Sequence, residues 1–393
     1  MKRLRFVTAG ESHGAGIIAW LSGLPADLPV DLERVNRELR RRQLGYGRGG
    51  RQKIEKDTVE VIAGVRHGRT IGAPIALRLE NREWEKRWKQ ALPVEDFEGS
   101  EEFRRPLTAP RPGHADLAGA LKFNWHDARY VLERASARET AARTAAGAFA
   151  KLLLGEFGVE ILSHVIAVGH ARLERAATWE EIQAICGNLD SPLRCVDAET
   201  EARMMAEVDA VLRAGNSVGG IFEVVAHGVL PGLGSHAQWD EKLDGGLAQA
   251  VMSIQAVKAV EIGSGIQNAV SYGSEVQDTI TYDAERRRFA RSSNHAGGLE
   301  GGITNGEDVV LRGYLKPIST LRRALGTADL ETKQAVEAAY ERSDVCVVPA
   351  AGVVAEAMVA LVLADAFLEK FGGDSLGETK RNVSGYRRQL DEF

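Results

Sequence analysis

The sequence predicts a single α+β domain, and three observations support this fold class. First, segments with strand patterns alternate irregularly with segments that carry helix-capping and helix-closing residues. Second, no Pro- or Ser-rich linker divides the 393 residues, and no internal repeat of roughly 20 to 50 residues occurs. Third, glycine-rich loops are spread from residue 10 to residue 302. We therefore expect residues 1–393 to form one domain.

The elements follow from local patterns. Capping residues mark helix starts: Asp31, the pair Ser136 and Glu139, and the pair Thr178 and Glu181. Helices are expected over 31–42, from 136 to about 154, from 178 onward, and over 197–214, 240–255 and 350–371, the last taken as the final long helix. Short apolar runs predict strands at 4–8, 17–21, 59–65, 75–79, 159–168, 221–230 and 309–316, with a hairpin over 279–283 and 287–291.

The composition excludes several classes of protein. A net charge of −5 and a pI near 6.1 disfavour a nucleic-acid binder. Three scattered cysteines without a C-x-x-C predict neither a disulfide framework nor a metal site. The N-terminus lacks the apolar region of a signal peptide, and the apolar segment 347–367 contains Glu356 and Asp365. We expect a soluble cytoplasmic protein that does not enter a membrane.

The stretch GESHG at 10–14 fits the G-x-S-x-G pattern of a hydrolase nucleophile elbow. An elbow needs a strand before its serine, a helix after it, and nearby oxyanion donors. The segment after Gly14 is predicted as a strand instead, and no HGGG-like stretch occurs. A hydrolase with Ser12 as nucleophile is therefore an alternative, which labelling with a fluorophosphonate would test.

Three loops combine arginine with glycine, at residues 40–51, 65–69 and 109–116. Arginine offers planar donor pairs that match phosphate and carboxylate oxygens, and glycine lets backbone N–H groups come close. The pattern favours a small ligand with several negative charges. Solvated surface arginines are the simpler interpretation of any single member, including residues 40–42 at a helix end. A polyanion-binding module is a further alternative, which the acidic pI disfavours.

His13 and His114 are the candidates for acid–base chemistry, because both lie in glycine-flanked loops and imidazole exchanges protons near neutral pH. His67 has a similar setting and competes with them. Two later stretches, SSNHAGGLEGG at 292–302 and GYLKPIST at 313–320, suit a phosphorylated cofactor. Neither a Rossmann fingerprint nor a P-loop is present, so the cofactor site is of another kind.

In combination, these motifs resemble the chorismate synthase family. Seven stretches match in order over essentially the whole chain: GESHG at 10–14, RPGHAD at 111–116, LERASARETAAR at 132–143, SIQAVKAVEIG at 253–263, SNHAGGLEGG at 293–302, LKPIST at 315–320 and RSDVCVVPAAGVVAEAM at 342–358. The resemblance implies long central helices between antiparallel sheets, with the alanine-rich helix and the 350–371 helix inside. It also implies a homotetramer.

The resemblance further implies a lyase reaction, the last step of the shikimate pathway to aromatic amino acids. Such enzymes convert 5-enolpyruvylshikimate 3-phosphate to chorismate and phosphate by a 1,4-elimination. The reaction has no net redox change, yet it requires reduced FMN. No segment is available for a flavin reductase domain, so an external reductase would supply the reduced flavin. NADPH would serve only for flavin reduction.

Residue roles come from the same resemblance. His13 would protonate the departing phosphate, and His114 would lie near the reduced flavin and balance its charge. Asp344 would assist removal of the ring proton through the flavin, with Ser12 and Ser136 as hydrogen-bond relays. Substrate anions would be bound by Arg42, Arg48, Arg111, Arg134 and Arg342, of which Arg42 and Arg48 are also associated with NADP. FMN would contact Arg134, Ala135, Ser136, Gln255, Ala256, Gly301, Lys316, Pro317, Ile318, Ser319, Thr320 and Arg342.

Overall fold

The computed structural model describes residues 3–49, 56–95, 106–285, 288–339 and 344–393. The strands are β1 (Arg5–Ala9), β2 (Gly16–Ser22), β3 (Glu60–Ala63), β4 (Val65–Arg66), β5 (Arg69–Thr70), β6 (Ile75–Glu80), β7 (Glu160–Val168), β8 (Ala171–Arg172), β9 (Gly220–His227), β10 (Val257–Ile262), β11 (Ile280–Asp283), β12 (Arg288–Arg291), β13 (Leu299–Glu300), β14 (Ile303–Thr304), β15 (Val309–Leu315), β16 (Gly326–Ala328) and β17 (Ala335–Glu337). The helices are α1 (Leu32–Gln43), α2 (Asp116–Phe123), α3 (Arg129–Ala135), α4 (Thr140–Gly155), α5 (Trp179–Gly187), α6 (Ala198–Arg213), α7 (Leu243–Met252), α8 (Gly265–Asn268), α9 (Gly273–Val276), α10 (Val348–Phe371) and α11 (Leu376–Glu392). A π-helical stretch, Trp84–Trp88, continues into the single turn Lys89–Ala91.

Two antiparallel sheets form the outer layers of the fold. The four-stranded sheet has the order β1-β2-β6-β3, and the five-stranded sheet has the order β10-β15-β9-β7-β8. Helix α4 contacts β2 and β6, whereas α10 contacts β7 and β9. The two helices also pack against each other, so the layers run sheet, helix, helix, sheet. This confirms the expected α+β arrangement, with α4 and α10 as the interior helices.

Most predicted elements are confirmed within a few residues. The side chain of Asp31 caps α1, that of Asp197 caps α6, and Thr178 with Glu181 forms the expected capping box of α5. The hairpin at β11 and β12 also forms as predicted. These are the segments where a local hydrogen bond or a local alternation decides the structure.

Several expectations were wrong. Ser136 accepts from the backbone of Arg138 and caps a 3₁₀ turn, while the Glu139 side chain bonds Thr8 and Arg143 instead of closing a capping box. Helices α2 and α3 form where no helix was predicted. Helix α11 follows α10, which was predicted to be the final long helix. The 65–69 loop is the tight β4–β5 hairpin with His67 and Gly68 at its turn, both at positive φ.

Helix α10 is long and apolar enough to cross a membrane, yet nearly all of its most apolar window is buried inside the protein. Its neighbours are α1, α4, α7, β7 and β9, which surround it. It is therefore the central core helix of the described chain.

A buried ionic cluster joins the three core helices α1, α4 and α10. Arg41 donates through both terminal nitrogens to Glu356, each at 2.7 Å, and also pairs with Glu38 at 2.9 Å. Lys151 bonds both carboxylates, and Ser163 donates to Glu356 at 2.6 Å. Burial favours the neutral acids, but the two cations outweigh it and lower the pKa of Glu38 to about 2. The four charges therefore stay ionised and balance one another.

The alanine-rich helix α4 meets α10 at very short range. A Cβ built on Gly147 would lie 2.3 Å from the Ala357 Cβ and 2.5 Å from its Cα. Backbone atoms cannot yield as a flexible side chain can, so Gly147→Ala is expected to destabilise the fold by about 1–3 kcal/mol despite its better helix propensity. Urea unfolding followed by circular dichroism measures this.

The matched control is Gly245→Ala in the first turn of α7, where an added Cβ meets no atom within 4 Å. It is expected to be neutral or to stabilise by up to about 1 kcal/mol. Equal effects at the two glycines would contradict the close packing of α4 on α10.

Candidate functional site

The first candidate histidine lies in the turn between β1 and β2, which is fixed by the end of α3. Ser12 donates its backbone N–H to the Glu133 carbonyl at 2.9 Å, and the backbone N–H of His13 donates to the Glu133 carboxylate at 2.8 Å. The ring Nδ1 of His13 lies 2.9 Å from Oε1 of the same carboxylate. The Trp88 ring covers the imidazole, with 3.9 Å between ring centroids.

Glu133 is an ionised carboxylate in a buried position. Its side chain is only 2% exposed, and burial favours the neutral acid. Hydrogen bonds from His13, with the positive charge of Arg129 at 3.4 Å, outweigh burial and hold the pKa of Glu133 below its ordinary value. His13 therefore faces a fixed negative charge at neutral pH.

Ser12 and Ser136 lie next to each other, as the relay prediction requires. The Ser136 hydroxyl donates to Oγ of Ser12 at 3.1 Å, and Ser12 is almost fully buried. The segment after this turn is the strand β2, not a helix, so the geometry of a nucleophile elbow is missing. Arg134 donates to the carbonyls of Thr8 and Gly10, and its half-exposed guanidinium lies over the same turn.

A cluster of arginines lies on the other side of the 136–140 segment. Arg42 donates to Thr140 at 2.9 Å and to the Ala137 carbonyl at 3.1 Å. Asp57 accepts from Arg42 at 3.3 Å and from Arg138 at 2.6 Å. Burial outweighs Asp57 and lowers the pKa of Arg42 to about 10. Arg42 is therefore charged at pH 7, and the negative charge of Asp57 does not fully offset the cost of burying that positive charge.

Arg48 and Asp344 complete this cluster. Nη1 of Arg48 lies 2.9 Å from Oδ2 of Asp344, which also accepts the Gly49 N–H at 2.6 Å. Nε of Arg48 is buried and has no hydrogen-bond partner within the described ranges. The guanidinium groups of Arg42, Arg48 and Arg138 lie beside the carboxylates of Asp57 and Asp344. The unused Nε donor of Arg48 and the buried charge of Arg42 suit an anionic ligand.

The second candidate histidine is held in the 110–116 loop. His114 bonds Asp116 through Nδ1, and Nη2 of Arg111 lies 3.0 Å from the same nitrogen. Arg111 also donates to Asp116 at 2.8 Å and to Thr320 at 3.1 Å. Burial would raise the pKa of Asp116, but the bonds from His114 and Arg111 hold it well below its usual range. Arg111 is thus engaged by Asp116 in the absence of ligand.

The segments predicted to hold a cofactor are linked by short contacts. Lys316 donates its side chain to the Gly113 carbonyl at 3.0 Å and its backbone N–H to the Ala256 carbonyl at 3.0 Å. Gln255 reaches Glu139 at 3.5 Å, and its Oε1 is buried without a partner among the described residues. Ser319 lies next to Gly113, with 3.6 Å between its Cβ and an added Cβ there. Lys316 and Ser319 therefore lie against the His114 loop, whereas Gln255 lies beside Glu139.

The rest of the predicted set is distributed as follows. Pro317 is exposed, the Ile318 carbonyl accepts from Ser217, and Ala135 ends α3. Gly301 is exposed in the β13–β14 turn, where an added Cβ would lie 3.8 Å from the Cβ of His236 and not beside the other predicted cofactor residues. Arg342 lies outside the described residues.

Several residues of these clusters carried no prediction. Glu133 directly precedes Arg134, and Asp116 follows His114 by two residues, each within one of the matched motifs. An acid this close to a candidate residue could have been recognised as its partner. Asn81 donates to the Gly14 carbonyl at 2.6 Å and accepts from Arg138 at 3.0 Å, which ties the His13 turn to the arginine cluster. Its position in sequence gives no hint of this.

Comparison with known proteins identifies the family. The family model described as chorismate synthase matches residues 4–368. The chorismate synthase of Solibacter usitatus (strain Ellin6076) is 63% identical over 390 residues, covering 99% of this chain and 100% of that protein. That of Aquifex aeolicus (strain VF5) is 50% identical over 400 residues, covering both chains completely.

A solved structure agrees with these relatives. A crystal structure of chorismate synthase superposes with a TM-score of 0.80 at 42% identity, and the match covers 100% of each chain. Sequence and fold thus agree over the full length. The chain belongs to the chorismate synthase family, the enzymes of the shikimate pathway that form chorismate.

Proposed function

We propose that the chain eliminates phosphate from 5-enolpyruvylshikimate 3-phosphate to give chorismate, with reduced FMN as the required cofactor. One observation carries the chemistry: a histidine on an ionised buried carboxylate lies one short segment away from an arginine cluster in which Arg48 keeps an unused buried donor. The substrate has one phosphate and two carboxylates. Cations beside a proton donor stabilise charge that develops on a departing phosphate.

His13 is the proposed proton donor to the phosphate oxygen. Arg42 and Arg48 would bind anionic groups of the substrate. The buried positive charge of Arg42 is only partly offset by Asp57, and Arg48 has an unused Nε donor. Ser12 and Ser136 form a hydroxyl pair at 3.1 Å that can pass hydrogen bonds across the site. Binding and proton delivery are then the tasks of the protein.

The predicted cofactor residues fit a flavin. Gln255 has an orphaned buried acceptor that an N–H of the ring system would satisfy, and Lys316 and Arg134 supply cations for a phosphate tail. When bound, reduced FMN would supply electron density transiently to the substrate and recover it. His114, on Asp116, would hold a proton that balances the flavin charge, and Asp344 would assist removal of the ring proton.

Arg111, Arg134 and Arg342 complete the proposed arginine set. Arg111 would contact a ligand while still bonded to Asp116, and Arg134 while bonded to Thr8. NADP is the second ligand proposed for Arg42 and Arg48. Arg42 is nearly fully buried and already donates to Thr140, Ala137 and Asp57.

An anaerobic phosphate-release assay tests the function. With the enolpyruvyl substrate and chemically reduced FMN, one phosphate per chorismate is expected, and chorismate is measured by its absorbance. Oxidised FMN under the same conditions is the control and should give no release. Failure to release phosphate with reduced FMN would reject the proposed reaction.

We also propose the assembly and setting that the resemblance implies: one domain, a cytoplasmic homotetramer, and an external flavin reductase. The hydrophobic core runs continuously from Leu4 to Val383, which supports one domain. Three exposed aromatic side chains suit a subunit contact: the Phe123 ring stacks on Trp125, and Tyr130 meets Trp125 edge to face. Light scattering at working concentration measures the oligomer, and a monomer would contradict it.

A further inference from the structure

We propose that Glu133 is the positioning residue for His13: it holds the imidazole in the Nδ1–H tautomer and so directs proton transfer through Nε2. The catalytic part of this inference rests on the proposed function, whereas the tautomer does not. Glu133 touches neither substrate nor cofactor in this assignment. It acts on the reaction only through the histidine.

Three contacts converge on Glu133. The His13 backbone N–H donates to Oε2 at 2.8 Å, and the ring Nδ1 lies 2.9 Å from Oε1. Backbone and ring of one residue thus bind the same carboxylate, which fixes both the turn and the side-chain torsions. The Glu133 backbone carbonyl adds a third contact by accepting from Ser12. A ring held this way presents its other nitrogen in one orientation.

The charge of Glu133 decides which nitrogen carries the hydrogen. An ionised carboxylate is acceptor-only, so the nitrogen beside it must be the N–H donor. Because Nδ1 is engaged in this way, a proton exchanged with a bound phosphate has to pass through Nε2. As the C–O bond breaks, the doubly protonated ring gives its Nε2 proton to a phosphate oxygen, and the ring becomes neutral with its remaining hydrogen on Nδ1.

Arg129 keeps the carboxylate paired in both states of the ring. Its Nη1 lies 3.4 Å from Oε1 of Glu133, one helical turn before it on α3. When His13 becomes neutral, the buried negative charge still has a cation beside it. Trp88 packs against the imidazole in a tilted arrangement, with 3.9 Å between ring centroids, and limits ring rotation. The proton can therefore leave without the carboxylate, the ring or the turn having to rearrange.

A matched pair occurs far from the candidate site, in the five-stranded sheet. His164 is buried and lies with Nε2 3.0 Å from Glu223, which also accepts from Arg312. Like Glu133, Glu223 is buried with one histidine and one arginine as partners. The bonded nitrogen is the opposite one, so the neutral His164 ring is expected to carry its hydrogen on Nε2. Glu223→Gln is therefore a control with the same chemistry at another place.

The first test measures the tautomer directly in the wild-type protein. With ¹⁵N-labelled histidine, ring-nitrogen shifts above pH 8 distinguish the two neutral tautomers, and a His13→Gln spectrum assigns the signals. His13 is expected as the Nδ1–H form, and Glu133→Gln should populate both forms because an amide can donate or accept. An Nε2–H ring in the wild type would overturn the inference without any variant.

The second test is kinetic. Glu133→Gln is expected to lower kcat about 10²-fold with little change in KM, since a misplaced catalytic group costs rate rather than binding. The double variant with His13→Ala should be no slower than His13→Ala alone, because Glu133 acts through that ring. Glu223→Gln should keep kcat within about twofold, as expected for a site with no shared partner.

The outcomes separate the two proposals. Absence of phosphate release by the wild type would reject the reaction, and the tautomer experiment would still decide the role of Glu133. Additive losses in the double variant, or wild-type kcat in Glu133→Gln, would reject the positioning role while leaving the reaction intact. If Glu133→Gln does not fold, the wild-type tautomer alone decides.

Discussion

Replacing His13 with alanine is expected to lower kcat about 10²- to 10⁴-fold, which is the usual contribution of a general acid. The loss follows because the departing phosphate would have no proton donor beside the arginine cluster. FMN affinity should change only modestly, since His13 is not among the predicted flavin contacts. Anaerobic single-turnover assays give the rate, and flavin titration gives the affinity.

His114→Ala should lose rate on the same order, because its proton balances the charge of the reduced flavin. The matched control is His227→Ala, whose ring pairs with Asp308 at the surface and lies away from both clusters. That variant should retain wild-type turnover. Near-wild-type rates in both the His13 and the His114 variants would refute the assignment of these residues.

Replacing Glu356 with glutamine is expected to cost about 3–5 kcal/mol in the free energy of unfolding at pH 7. The change leaves Arg41 and Lys151 buried with one carboxylate, that of Glu38, and an uncompensated charge in the core is costly. Chemical denaturation followed by circular dichroism measures it. Glu156→Gln breaks the half-exposed pair with Lys380 and should cost no more than about 1 kcal/mol.

The same cluster sets a pH dependence. The pKa of Glu38 falls from 4.5 to about 2 on folding, and the pKa of Glu356 is also lowered by Arg41 and Lys151 against the effect of burial. Each carboxylate therefore adds stability that is complete above its ordinary pKa of about 4.5 and is lost as the pH falls through its lowered pKa, which for Glu38 is about 2. Wild-type stability should drop over this interval, and the drop should be smaller in Glu356→Gln. Parallel curves for the two proteins would contradict the cluster's role.

Much of the fold could be predicted because its signals are local. Alternating apolar runs gave strands such as β2 and β15, and side-chain caps marked the starts of α1 and α5. Helices α2 and α3 have no side-chain cap on their first turn, so the sequence offered no start signal. Helix α11 is amphipathic, yet the elements predicted from the sequence end with the helix at 350–371.

The site divides in the same way. Histidine and arginine near glycine could be recognised from single loops, and the structure brings His13, Ser12 and Ser136 into one cluster. Asp57 and Asn81 could not be recognised, because their roles depend on partners tens of residues away. The sequence also could not show that Arg111 donates to Asp116. An arginine in a motif is the same letter whether or not a carboxylate already pairs with it.

The three arginines at the end of α1 have different surroundings although they are adjacent. Arg40 is exposed, Arg41 is buried among the core carboxylates, and Arg42 faces the 137–140 segment of the site. Successive helical residues point about 100° apart, so the register of this helix decides which arginine serves which purpose. A one-residue insertion in α1 would move each arginine into its neighbour's place while leaving the run itself unchanged. Three identical residues cannot reveal an alignment that is shifted by one position. Alignments of relatives through this run should therefore be checked against Asp31, which caps α1, and Glu356, which pairs with Arg41.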